Sequence, residues 1–165
     1  MGYISREGAY SESSLVDERG ELYYRGETIL DKNEIQEWKK SLREEYSYER
    51  RMIFSPADPD MSKEDLLSVV RDSIDKHQME TGKNYEFFVS VHDHNGRIHA
   101  HVVCFSEDKE DIAMHREEIN SMREHANQLE LEKIEERTLE LEEYKSIDLD
   151  LDKGGQKEWE QGLEF

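Results

Sequence analysis

The chain is poor in the residues that would place it in several large classes. It has one cysteine, Cys104, so no internal disulfide can form, and with no CxxC pair a thiolate zinc site is excluded. That cysteine usage suits an intracellular protein, and the expected compartment is the cytoplasm. No apolar run approaches the roughly 18 residues that a membrane-spanning helix needs, so no membrane partner is expected. The N-terminus, MGYISREGAY, lacks the apolar stretch of a secretory signal. Proline is nearly absent, with only Pro56 and Pro59, and apolar residues make up just 35% of the chain. Basic residues are scarce as well: 22 against 41 acidic ones, a net charge of -19. A surface this acidic repels nucleic acid over most of its area, so any nucleic-acid function must be local and helped by a cation.

Aromatics at 9% and several β-branched runs argue for a folded core in a chain of 165 residues, the size of one domain. Residues 20–26 read as a short strand or hairpin. Asp31-Lys32-Asn33-Glu34 is a capping box, and Ile35, Trp38 and Leu42 follow at helical spacing, so a first helix runs to about Tyr46. Arg51–Ser55 is a short strand stopped at Pro56. Ser62 caps a second helix whose apolar face is Leu66, Val70, Ile74 and His77, and Thr81-Gly82 ends it. A third helix is expected from about Lys109 to Gln128 or on to Tyr144. Residues 1–145 form the domain in this reading. Residues 146–165, where Ile147, Leu149 and Leu151 alternate with aspartates, are either an acidic tail or an edge strand, and 153–165 lack the composition of an ordered segment.

Residues 85–105 say most. Tyr85–His92 and Arg97–Phe105 have strand composition and flank Asn95-Gly96, the preferred two-residue hairpin turn. That turn sets a register in which His92 faces His99 and Ser90 faces His101. Period-two alternation then puts His92, His99 and His101 on one face, with Phe87, Val89, Val91, Ala100, Val102 and Cys104 on the other. Three neutral imidazoles gathered this way suit a divalent cation and leave coordination positions open for substrate. His94 is assigned to the turn, and His77, His115 and His125 to packing or surface. The expected fold is α+β: a central antiparallel sheet of about five strands, with helices on one face and the histidines on the other.

Ile98-His99-Ala100-His101-Val102-Val103, with His92 seven residues upstream of His99, resembles the three-histidine motif of the HUH endonucleases, and more narrowly that of MOBP-class (VirD-like) plasmid relaxases. Tyr3-Ile4-Ser5-Arg6-Glu7-Gly8 resembles the tyrosine motif of that family, and Arg51–Pro56 its central strand; the resemblance covers roughly residues 3–130. The aspartate that the family carries two residues after its first histidine is His94 here. The resemblance implies a relaxase/Rep-like HUH fold. It also implies metal-dependent nicking and rejoining of single-stranded DNA at a transfer or replication origin, through a 5′-phosphotyrosyl intermediate, in plasmid mobilisation. Tyr3 would be the nucleophile, with Tyr10, Tyr23, Tyr24 and Tyr144 as competitors. His92, His99 and His101 would hold Mn2+ or Mg2+, Arg6, Arg97 and Arg51 would contact DNA, and accessory mobilisation proteins would be partners. Two other readings keep the fold: a DNA- or partner-binding module without nicking activity, and a rolling-circle replication initiator. A histidine-triad nucleotide hydrolase is set aside because the position it needs as histidine is Val103.

Overall fold

The computed structural model describes residues 21–46, 48–94 and 96–161. Tyr3, Arg6, Tyr10 and Asn95 lie outside them. The chain divides into two compact units, 1–129 and 130–165.

The first unit is α+β, as expected. Its strands are β1 (Leu22–Tyr24), β2 (Thr28–Leu30), β3 (Tyr48–Phe54), β4 (Glu86–His94) and β5 (Arg97–Ser106). They lie in the order β2-β1-β4-β5-β3, and every neighbouring pair is antiparallel. β1 and β2 join through Arg25 and Gly26, both at positive φ (49° and 73°), which a tight hairpin turn needs. Between strands come the helices α1 (Lys32–Glu45) and α2 (Lys63–Thr81). Both start as the sequence predicts. Asp31 and Glu34 close a reciprocal capping box on α1, and the Ser62 hydroxyl accepts from the Asp65 amide at 3.0 Å. Gly82 ends α2 in the left-handed conformation.

The expected third helix is two helices. α3 (Lys109–Ile112) is capped by Asp108, and α4 begins only at Arg116. The start of α4 is fixed by Glu118, whose carboxylate accepts from the His115 amide at 2.7 Å. α4 then runs to Gln161, so residues 146–161 are helical rather than a tail or an edge strand. Alternation of Ile147, Leu149 and Leu151 allowed a strand, but no proline interrupts this stretch and its Glu, Leu and Lys are strong helix formers. Within the second unit Leu131, Leu139, Leu141, Tyr144 and Ile147 are exposed. No helix among the described residues is long and apolar enough to cross a membrane.

One expectation is corrected: helices cover both faces of the sheet. On one face Phe87, Val89, Ala100, Val102 and Cys104 pack with Leu66, Val70 and Ile74 of α2, Ile112 of α3 and Met122 of α4. On the other, α1 lays Ile35, Trp38 and Leu42 over Phe88, Val103 and Phe105. Those three share the face of the histidines, since 86–94 and 97–106 alternate in the same register. Burying each such side chain is worth roughly 1.5–3 kcal/mol, so this half-face must be covered. Trp38 stacks on Tyr24 (5.3 Å between centroids) and meets Phe88 edge-on (5.5 Å).

Beneath the first face a polar chain is closed around His77, which is 5% exposed. Its Nε2 lies 3.2 Å from Glu118 Oε1 and its Nδ1 2.8 Å from the Tyr85 hydroxyl. A carboxylate only accepts, so Nε2 carries the proton and the Tyr85 hydroxyl donates to Nδ1. Lys83 completes the group at 2.7 Å from Glu118. Burial holds the His77 imidazole below its usual range, against the pull of Glu118. Burial alone would raise Glu118, but the hydrogen bonds from Lys83, the His115 amide and His77 outweigh it and hold the carboxyl at about 2.

Both shifts link stability to pH with the same sign. The unfolded chain takes up the His77 proton first, near pH 6.5, so stability is full above that value and declines as pH falls through it. Glu118 adds a second loss below pH 4.5. Urea unfolding across pH 8 to 4 should therefore show falling stability. His77→Leu should be about 1–3 kcal/mol less stable at pH 8, because the Tyr85 hydroxyl loses its partner, and the first decline should be flatter.

Candidate metal centre

The site is built on the β4–β5 hairpin. Gly96 takes φ 71° in the two-residue connection, and the pairs His94↔Arg97, His92↔His99 and Ser90↔His101 follow in register. His94 thus pairs within β4 rather than lying in the turn. The register gathers the three expected rings on one face of two adjacent strands. Ring centroids are 5.7 Å apart for His92 and His99, 4.9 Å for His92 and His101, and 5.0 Å for His99 and His101.

Each ring has a distinct environment. His92 Nε2 is 3.1 Å from the Ser90 hydroxyl, and His99 Nδ1 is 3.3 Å from the Arg97 carbonyl. The second contact needs Nδ1 protonated and leaves His99 Nε2 as the ring's basic nitrogen. Burial, and then the nearness of His92 and His99, holds His101 below the usual histidine range. A ring kept neutral keeps its lone pair for a cation.

Among the described residues, no three or more His, Cys, Asp or Glu side chains stand as a metal-holding group. The donor set nevertheless fits one in kind. Nitrogens sharing a single ion lie within about 4 Å of one another. Rings whose centroids are about 5 Å apart can reach that spacing by rotating in place. Imidazole suits transition-metal ions, and a three-histidine set leaves positions for substrate.

α1 determines how much of this face stays open. It starts after Leu30, which pairs with Leu22 in the same row of the sheet as Ser90 and His101. It ends near Tyr46, whose ring lies 6.4 Å from that of Phe105. α1 therefore crosses the sheet diagonally, away from the histidines. Leu22 is also where β1 begins, so the chain enters the sheet at the histidine end.

The other expected residues divide. Arg97 is exposed at the head of β5, on the histidine face. Arg51 lies on that face two residues from Ile53, the partner of His101, and its guanidinium is paired with Glu49. Asp93 pairs with Ile98 on the opposite face. Tyr23 faces the α2 side and donates to Glu21. Tyr24 shares the histidine face, but its partner Phe88 is four residues, or about 13 Å, from His92. It donates to Glu86 at 2.6 Å, and burial and then that carboxylate push its hydroxyl up to about 12. Both are packing residues. Tyr144 is 72% exposed in the second unit. Sequence reasoning passed over Ile53, which is 59% exposed beside His101; alternation sets it opposite Met52 and Phe54, but only the pairing of β3 with β5 puts it on the histidine face.

Compared with known proteins, the chain matches no family model, no curated protein and no solved structure.

If the three rings act together, Mn2+ should broaden the imidazole signals of His92, His99 and His101 in NMR spectra before those of His77, His115 and His125. His101→Ala should weaken Mn2+ binding at least tenfold by calorimetry.

Proposed function

We propose that this chain is a relaxase of the HUH type, which nicks and rejoins single-stranded DNA at an origin of plasmid mobilisation. The observation that carries this reading is the set of three imidazole rings, 4.9–5.7 Å apart, on one partly uncovered sheet face. The entry of the chain into the sheet at that same end supports it, because Tyr3 lies nineteen residues before Leu22 and its tether starts beside the site.

In this reading His92, His99 and His101 would hold a divalent cation, Mn2+ or Mg2+. When bound, such an ion serves as a Lewis acid toward the non-bridging oxygens of a phosphate. The chain does the rest. Arg97, and Arg51 with its carboxylate partner, border the face on which the strand lies. Tyr3 supplies the nucleophile: its oxygen bonds to phosphorus as the P–O3′ bond breaks, and the departing oxygen leaves as a 3′-hydroxyl. The 5′-phosphotyrosyl bond conserves the phosphodiester energy, so the reverse attack rejoins the strand. A phenol with an ordinary pKa near 10 is a weak nucleophile, so the reaction depends on the charge held beside the phosphate.

A pool of 3′-labelled single-stranded DNA incubated with the protein and Mn2+ tests the reading on a denaturing gel. A labelled adduct at the size of the protein is expected, lost with a chelator and lost in Tyr3→Phe. Absence of any adduct in the wild-type protein overturns nicking. An adduct that survives Tyr3→Phe assigns the nucleophile to another tyrosine.

A further inference from the structure

Among the described residues, Ile53 belongs to neither hydrophobic cluster. It lies on edge strand β3, whose other residues on that face are Glu49 and Arg51. Its neighbours Met52 and Phe54 turn to the opposite face and pack against the core there. Ile53 itself stays 59% exposed, whereas Leu22 and Leu30, at the far end of the same row, are 7% and 8% exposed under α1. The diagonal course of α1 leaves this corner open, and the side chain stands directly across from His101.

We propose that Ile53 is an apolar shelf on which a base of single-stranded DNA rests next to the histidine centre. This rests on the reading given under Proposed function. Apolar side chains, isoleucine among them, pack against the faces of unstacked bases in many nucleic-acid complexes. The occupant follows from charge. The open corner carries three imidazoles and Arg97, and the one carboxylate of β3 on this face, Glu49, is paired with Arg51. In a chain of net charge -19, this is ground where a phosphate backbone meets little repulsion. The phosphates lie along the histidines and Arg97, and the base turns toward β3. The contact is to a base face, so it has no preference among sequences at this position and adds affinity only to DNA that is single-stranded there.

The test compares binding, with Mn2+ present, of oligothymidylate and of a chain of the same length with every base removed. For the wild-type protein the intact strand should bind more tightly. I53A should lose about fivefold on oligothymidylate and nothing on the base-free strand. Ile53→Phe should equal or exceed the wild type on oligothymidylate alone, which separates contact from misfolding. If I53A weakens both strands equally or neither, Ile53 is not a shelf, and the relaxase reading stands or falls on its adduct. If the wild-type protein binds neither strand, the DNA reading itself is overturned and the shelf with it.

Discussion

The antiparallel ladder between β4 and β5 carries the rest of the structure. Its nine residue pairs, from Glu86↔Phe105 to His94↔Arg97, fix which side chains share a face. A slip of one residue would carry His99 and His101 into the core and put Ala100, Val102 and Cys104 toward α1. The register is held at one end by a two-residue turn with Gly96 at positive φ. Along its length it is held by Phe87, Val89, Ala100, Val102 and Cys104, all inaccessible to solvent. The hydrophobic effect on one face therefore aligns polar chemistry on the other.

That other face is itself divided. Its far half is an aromatic cluster in which Tyr24, Trp38, Phe88 and Phe105 meet at centroid distances of 5.3–6.0 Å. The near half holds the histidines. The boundary is the line along which α1 crosses the sheet. Under this partial cover the flanking rings pack against one another, while His92, His99 and His101 stay half-buried. The half-buried environment also lowers the proton affinity of His101.

Part of the acidity of the chain is taken up in ion pairs away from the histidines. Arg25 meets Asp75 and Glu86, and Arg71 meets Glu27 and Asp72. Exposed pairs of this sort add little stability, roughly 0–1 kcal/mol each. The buried knot of His77, Tyr85 and Glu118, joined by Lys83, is different in kind, since it ties α2, the residue before β4 and the start of α4 together.

What the sequence determined alone was local. Asp31 with Glu34, Ser62 with Asp65, Gly82, and the strand pair around Asn95-Gly96 each act over a few residues, so their outcome was readable without knowing the fold. The grouping of His92, His99 and His101 was legible for the same reason, because a two-residue turn converts spacing directly into facing. The tertiary structure alone decided what lies over that face. Phe88, Val103 and Phe105 share the parity of the histidines and demanded cover, but nothing local says which helix supplies it or on what diagonal. The partnership of His77 with Glu118, 41 residues away, and the exposure of Ile53 depend on the same long-range packing. So does the break at Ala113–His115, which separates α3 from α4 where periodicity alone ran straight through. Short-range hydrogen bonding and alternation are properties of neighbouring residues, whereas burial is a property of the whole packed sheet, and burial chose which parts of the site stay open.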